Sequence, residues 1–138
     1  CAMAAALEWQ TAHMLENTVR LSNLSDKMRY MLSKIPGHKW NTPFDKPHLP
    51  HILNISFDGV DAHALCLLLS QEGIMISAGA ACSNGKNEPS HVILAMFKDE
   101  ARARSAVRIS FSCDNTEEEI DYASKKIAEA VDHLRSLN

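Results

Sequence analysis

Residues 2–35 contain neither glycine nor proline, and their apolar side chains recur mostly three or four positions apart. This spacing is typical of one face of an α-helix. A straight helix of that length spans about 50 Å at 1.5 Å per residue, whereas a compact chain of this size is only about 37 Å across. The spacing therefore predicts a long helix whose apolar first turns project beyond the rest of the chain. We expect the chain to be a fragment or a subunit that leans on something larger.

Shorter elements follow the Pro36-Gly37 pair that ends this helix. Alternating apolar residues and turn signals predict strands and helices in the order helix, strand, strand, helix, strand, loop, helix, strand, helix. This order is typical of a small sheet covered by helices, of α/β or α+β class. The predicted strands lie at 38–42, 51–57, 74–76 and 106–111, and the predicted helices at 62–71, from Pro89 to 96, and from 116 onwards. Asp61 is predicted to cap the helix at 62–71, and Asn115 or Thr116 to cap the last helix. Residues 99–104 are interpreted as a solvated helix with paired charges.

Composition and charge narrow the function classes. The 138 residues fit one domain with a core of its own. The net charge is −3 and no five-residue window is solidly basic, so neither a nucleic-acid groove nor a patch for anionic membranes is expected. No signal peptide and no apolar run of about eighteen residues is evident. Four cysteines without a CxxC pair favour a reduced, cytoplasmic setting with no disulfides. Small molecules and other proteins therefore remain as the expected binding partners.

One cysteine stands in unusual surroundings. Cys82 lies in the stretch SAGAACSNGKNEPSHV, among small and polar residues that offer it little to pack against. A thiolate is stabilised by nearby positive charge or by a helix N-terminus, and Lys86 and the helix predicted from Pro89 could supply both. We interpret Cys82 as a candidate nucleophile. The alternative is that it packs as a small apolar side chain, as free cysteines usually do.

Arg108 is the second candidate, in the strand segment AVRIS. Alternation places it on the face opposite Val107 and Ile109. An arginine in such a place either faces solvent or holds a carboxylate with its planar fork, and spacing alone favours solvent. His48 and His51 lack a third metal ligand, so no metal site is predicted. His91 could act as an acid or base near Cys82, but an exposed helical histidine is the simpler interpretation.

Four blocks of the sequence resemble a known family, in its order and at its spacing. These are LPHILNISFDGVDAHALCLLL, GIMISAGAACSNGKNEPSHVILAM, SAVRISFS and NTEEEIDY. Together they resemble the small C-terminal domain of the pyridoxal-phosphate-dependent cysteine desulfurases, within the class V aminotransferase family. The resemblance covers essentially the whole chain. It implies the small domain of a fold-type I enzyme, with a short, mainly antiparallel sheet covered by helices.

The resemblance also implies an organisation and a chemistry. Residues 1–35 correspond to an interdomain helix, and residues 36–138 to the small domain with a catalytic-cysteine loop at 77–88. Cys82 corresponds to the cysteine that takes sulfur from L-cysteine and becomes a persulfide, leaving L-alanine. Arg108 corresponds to the arginine that binds the substrate α-carboxylate, which reverses the solvent-facing interpretation. Implied partners are a sulfur-acceptor protein, in iron–sulfur cluster or other sulfur assembly, and a second copy in a homodimer.

Departures from the family define the alternatives. The lysine that forms the Schiff base with pyridoxal 5'-phosphate, and the aspartate and histidine that contact its ring, have no counterpart in this chain. We therefore expect the cofactor to be bound by a large domain absent from this chain, and the chain alone to be inactive. Phe97 stands where the family often has glycine. A selenocysteine lyase, a cysteine sulfinate desulfinase and a stand-alone sulfur carrier or binding module remain alternatives.

Overall fold

Helices and strands alternate along the chain in the computed structural model, which describes residues 2–79 and 88–137. Their order agrees with the sequence-based prediction, including a short helix just before the last strand. The elements are α1 (Ala2–Leu32), β1 (His38–Trp40), β2 (Ile52–Phe57), α2 (Ala62–Gln71), β3 (Ser77–Ala78), α3 (His91–Phe97), α4 (Glu100–Arg104), β4 (Ala106–Ser110) and α5 (Glu117–Ser136).

The strands form one antiparallel sheet in the order β1-β2-β4-β3. The predicted fold class, a small antiparallel sheet covered by helices, is confirmed. Strand β4 lies between β2 and β3, and its central residue Arg108 pairs with Asn54 on one side and Ser77 on the other. Because residues that pair directly across strands have their side chains on the same face, these three side chains share one face of the sheet.

The opposite face of the sheet carries the main core. Strands β2 and β4 direct large apolar side chains against α1, α2 and α5, and all of them are at most 5% exposed. The Arg108 face is partly covered by α3 and α4, where Ile93 and Ala103 pack on Ala106. One face is thus closed by apolar packing, while the other keeps polar side chains next to a small apolar patch. The sheet residues of the main core are Leu53, Ile55, Phe57, Val107 and Ile109.

Helix ends follow the predicted capping signals. Asp61 caps α2 as predicted, its Oδ1 accepting from the Ala64 N–H at 2.9 Å. Of the two residues predicted to cap α5, Thr116 does so. Its Oγ1 accepts from the Glu119 N–H at 3.2 Å, and Glu119 Oε2 accepts from the Thr116 N–H at 3.0 Å. This reciprocal capping box satisfies two N–H groups that the helix itself leaves unpaired.

Replacing Thr116 with alanine is expected to lower the free energy of unfolding by about 1 kcal/mol, because the N–H of Glu119 loses its acceptor. Denaturant unfolding of the variant measures this loss. Ser136→Ala, at the other end of α5, is the matched control, since within residues 2–79 and 88–137 its hydroxyl donates only to the His133 carbonyl one turn back. Equal stability of the Thr116 variant and the unsubstituted protein would show that the box contributes nothing.

Several predicted boundaries were wrong. The first strand ends at Trp40 rather than 42, and three other bounds differ as follows. Residues 74–76 are not a strand, because the Ile74 N–H bonds to the Leu69 carbonyl and closes the end of α2. The sheet pairing begins only at Ser77. Pro89 does not lie in the first turn of α3, since Ser90 is its cap and Ser90 Oγ accepts from the Ile93 N–H. Finally, the first helix ends at Leu32 rather than 35.

The first half of α1 is uncovered by the rest of the described chain. Residues 2–12 are all exposed, and burial within α1 begins only at Leu24. The hydroxyls along this half bond within the helix: Thr11 donates to the Leu7 carbonyl at 2.8 Å, and Thr18 donates to the Met14 carbonyl at 2.7 Å. The large apolar side chains exposed here are Met3, Leu7, Trp9, Met14, Leu15 and Val19. Within residues 2–79 and 88–137, no helix combines the length and apolar character needed to cross a lipid bilayer.

Candidate functional site

Arg108 lies half-buried at the middle of β4, on the face opposite the buried Val107 and Ile109. The alternation predicted from the sequence is therefore confirmed. Its Nη2 makes a long contact of 3.5 Å with Ser77 Oγ, on the strand that leads into the cysteine segment. The side chain is thus neither buried in the core nor spread over an outer surface.

No acidic side chain in the described part of the chain pairs with Arg108. Two other arginines do have carboxylate partners, Arg29 with Asp26 at 3.3 Å and Arg104 with Glu100 at 2.8 Å. The second of these confirms the charge pairing predicted for the helix before β4. A half-buried guanidinium has five N–H donors in a planar fork, which suits a carboxylate. Arg108 is therefore available to an anionic ligand, although the role of Arg108 itself stays a prediction.

A polar network lies beside Arg108 and was not foreseen. Asn41, only 4% exposed, donates through Nδ2 to Asn54 Oδ1 at 2.7 Å and to Ser56 Oγ at 2.8 Å. Asn41 Oδ1 accepts from Arg102 Nε at 2.7 Å. The network connects α4 to β2 and reaches the residue that pairs with Arg108.

Arg102 anchors the far end of this network. Its Nη2 donates to the Trp40 carbonyl at 2.7 Å, and its guanidinium lies over the Phe97 ring, 3.5 Å from the centroid. The interpretation of Arg102 as part of a solvated, charge-paired helix was wrong, because its donors are used by the chain itself. The sequence signal that could have revealed it is an asparagine inside a strand, which strands disfavour unless its amide is paired.

Phe97, found where the resemblance leads us to expect glycine, ends α3 without adopting a left-handed conformation. That conformation falls on the next residue, Lys98, with φ 53°, whose N–H bonds to the Leu94 carbonyl. The Phe97 ring is instead used to stack on Arg102. The left-handed residue that ends α3 is therefore Lys98, directly after Phe97.

Cys82 and Lys86 lie outside the described residues. The chain enters that segment from β3 through Gly79, whose N–H bonds to the Ala106 carbonyl at 3.4 Å. Three residues of chain, the separation of Gly79 from Cys82, span at most about 11 Å when fully extended. The segment that carries the candidate nucleophile thus starts from the strand that pairs with Arg108.

Two other cysteines are described, and both are free and half-buried. Burial, helped by the nearby Asp61 carboxylate, raises the pKa of the Cys66 thiol to about 11. Since only a thiolate is a good nucleophile, Cys66 stays protonated and unreactive near neutral pH. Cys113 lies in the turn between β4 and α5.

The histidines form no metal site in residues 2–79 and 88–137, where no group of three potential ligands comes together. His48 donates through Nδ1 to the Lys46 carbonyl at 2.8 Å and lies in an exposed loop. His91 is exposed at the start of α3. Its acid or base role near Cys82 stays untested, because Cys82 is outside the described residues.

Two described lysines, Lys27 and Lys126, do not suit a Schiff base with pyridoxal phosphate. A lysine that forms a Schiff base needs a lowered pKa. Hydrogen bonds that Lys27 donates to Asp121 and Glu117 raise its pKa, and those that Lys126 donates to Glu129 and Glu72 raise its pKa. These ammonium groups are held in their charged form. Arg108 thus fits a carboxylate, whereas Lys27 and Lys126 do not fit the cofactor.

Comparison with known proteins gives a consistent result. Residues 1–123 match the family Aminotransferase class-V. A cysteine desulfurase of Gluconacetobacter diazotrophicus is 32% identical over 136 residues, which cover 99% of this chain and 34% of that protein. The cysteine desulfurase IscS of Pseudomonas putida is 35% identical, again over 99% of this chain and 33% of the relative.

A solved structure extends the similarity to three dimensions. The structure of a NifS-like protein superposes with a TM-score of 0.80 and 33% identity, covering 94% of this chain and 32% of the other. The chain spans about one third of the length of the curated relatives it matches. The family match extends over most of the chain, from α1 into α5. The chain therefore belongs to the class V aminotransferase family.

Proposed function

We propose that the protein containing this chain is a cysteine desulfurase. It takes L-cysteine, releases L-alanine and keeps the sulfur as a persulfide on Cys82, while Arg108 binds the substrate α-carboxylate. The single observation that carries the proposal is the position of Arg108. Its half-buried guanidinium has no acidic partner among the described residues, and its strand pairs with the strand that leads to Cys82. The similarity to proteins named cysteine desulfurase supports the same activity.

The proposed reaction balances without an added oxidant or reductant. The bond between the substrate carbon and its sulfur breaks, and its electron pair stays with carbon, which takes up a proton to become L-alanine. The Cys82 sulfur forms a new bond to the released sulfur and so becomes the persulfide. The proton lost by the Cys82 thiol equals the proton gained by the substrate carbon. Arg108 holds the carboxylate in place so that the reacting sulfur is presented in a fixed orientation.

The cofactor belongs to another part of the protein in this proposal. Class V aminotransferases generally depend on pyridoxal phosphate, and neither Lys27 nor Lys126 suits a Schiff base with it. We therefore assign the cofactor to a large domain outside this chain, residues 1–35 to the interdomain helix and residues 36–138 to the small domain with the cysteine loop at 77–88. The isolated chain is then inactive.

The destination of the sulfur follows from the proposed persulfide. A persulfide on a loop can be attacked by a thiolate of a second protein, so the partner is a sulfur-acceptor protein in iron–sulfur cluster assembly or another sulfur pathway. We place the enzyme in the cytoplasm, where acceptor thiols stay reduced, and propose a homodimer.

Incubating the full-length protein with L-cysteine tests the activity. We expect alanine and persulfide sulfur in equal amounts in a single turnover, and continuing alanine release when a thiol acceptor is added. Selenocysteine and cysteine sulfinate are supplied in parallel. Faster consumption of either would identify a selenocysteine lyase or a desulfinase instead, and no consumption of any of the three would reject the enzyme.

A further inference from the structure

Almost every polar atom of Asn54 has a hydrogen-bond partner in the chain. Its N–H donates to Thr42 Oγ1 at 2.8 Å, and its carbonyl accepts from the Asn41 N–H at 2.9 Å. Its side-chain Oδ1 accepts from Asn41 Nδ2 at 2.7 Å. The hydrogen bonds between described residues do not use Asn54 Nδ2. The Asn54 amide nitrogen, with its two N–H donors, therefore has no acceptor among the described residues, although the side chain is half-buried.

Arg102 determines which side-chain atom of Asn41 and of Asn54 donates and which accepts. A guanidinium can only donate, so the side-chain atom of Asn41 that faces Arg102 must be its oxygen. The Asn41 amide nitrogen then faces Asn54, which must present its own oxygen in return. Ser56 agrees with this direction, because its hydroxyl accepts from Asn41 and donates to the Arg102 carbonyl at 2.8 Å. Each amide therefore has one permitted orientation.

The donor group of Asn54 lies on the Arg108 face of the sheet. Asn54 and Arg108 are directly paired across β2 and β4, and side chains of such pairs have Cβ atoms about 4.5–5.5 Å apart. Both side chains are half-buried, and neither is paired with an acidic group in the described part of the chain. Two donors side by side, one charged and one neutral, match the two oxygens of a carboxylate.

We propose that Asn54 is a second substrate-binding residue, which donates through Nδ2 to the carboxylate that Arg108 binds. Arg102 and Asn41 are positioning residues that fix the donor. This inference rests on the proposed function, since it deepens the carboxylate site of the same reaction. Together the two residues select an α-amino acid with a free carboxylate over the same compound with a neutral group in its place.

The discrimination between L-alanine and L-alaninamide measures this directly. Both are tested as inhibitors of L-cysteine turnover by the full-length protein. The inhibition constant of L-alaninamide divided by that of L-alanine measures how strongly the protein prefers the carboxylate. Asn54→Ala is expected to reduce this ratio and to raise KM for L-cysteine about tenfold with little change in kcat, because one hydrogen bond to a charged group is lost. Asn54→Asp is expected to reduce the ratio further, because it puts a negative charge beside the ligand.

Two comparisons separate binding from structural damage. Asn54→Asp still offers an oxygen to Asn41 Nδ2, so its thermal unfolding should stay close to that of the unsubstituted protein. Thr42→Val removes a bond to the Asn54 backbone and is expected to lower stability without changing the ratio. An unchanged ratio in both Asn54 variants, with a reduced ratio in Arg108→Ala, overturns the role of Asn54 and leaves the proposed function intact. An unchanged ratio in Arg108→Ala as well overturns both.

Discussion

Replacing Cys82 with serine is expected to reduce persulfide formation by the full-length protein to background. A serine hydroxyl is not ionised near neutral pH and cannot take up sulfur from the substrate, whereas a cysteine near positive charge forms a thiolate. The measurement is persulfide-specific labelling after a single turnover with L-cysteine, followed by mass analysis of the peptide that contains residue 82. The bound cofactor should keep its absorbance, since the substitution does not touch the part of the protein to which we assign it.

Cys113→Ser is the matched control for this variant. Cys113 is a free, half-buried thiol, and its replacement should leave the amount of persulfide unchanged. Cys66 offers no competing nucleophile, because burial raises the pKa of its thiol to about 11. Persulfide that persists on the Cys82→Ser protein would remove residue 82 from the reaction and leave another thiol to be found.

Removing the Arg108 side chain has the second largest expected effect. Arg108→Ala is expected to raise KM for L-cysteine by at least roughly 100-fold, because hydrogen bonds to a charged group contribute about 1.5–3 kcal/mol each and a forked arginine makes two. Folding should change far less, since in the described structure the only side chain in hydrogen-bond reach of this guanidinium is Ser77, at a long 3.5 Å. Steady-state kinetics and thermal unfolding of the same preparation separate the two effects.

Arg104→Ala provides the matched control, because Arg104 is an exposed arginine of the neighbouring helix whose one ionic partner among the described residues is Glu100. Its KM should stay within about twofold of the unsubstituted value, as for most surface charges. Arg108→Lys should fall between the two, since a lysine keeps the charge but loses the fork. If KM is the same in the Arg108→Ala and Arg104→Ala proteins, Arg108 only faces solvent.

Local sequence signals predicted most of the fold because they report on local physics. Val107 and Ile109 alternate with Arg108, so one buried face and one polar face of β4 could be expected before the sheet was known. Asp61 and Thr116 were recognisable caps because a helix needs acceptors at its first turn. These features depend on neighbours within a few positions in the chain.

Features that depend on distant partners could not be predicted in this way. Residues 74–76 have the composition of a strand, but the Ile74 N–H is already taken by the preceding helix. The place of Arg102 depends on Asn41 and Trp40, about sixty positions earlier in the chain. No spacing rule connects such residues. Asn54 was therefore seen in the sequence only as part of a strand.

The uncovered half of α1 differs from an ordinary polar surface in one respect. Its Thr11 and Thr18 hydroxyls already have acceptors inside the helix, so removing water from around them breaks no hydrogen bond that must be replaced. Covering apolar side chains of this half such as Met3 and Leu15 therefore costs mainly their rotamer freedom, whereas the Glu8 and Glu16 carboxylates lose hydration that only water or a polar partner can replace. A neighbouring surface therefore needs a matching apolar shape at the apolar and threonine side chains, and must leave Glu8 and Glu16 in water or offer them polar partners.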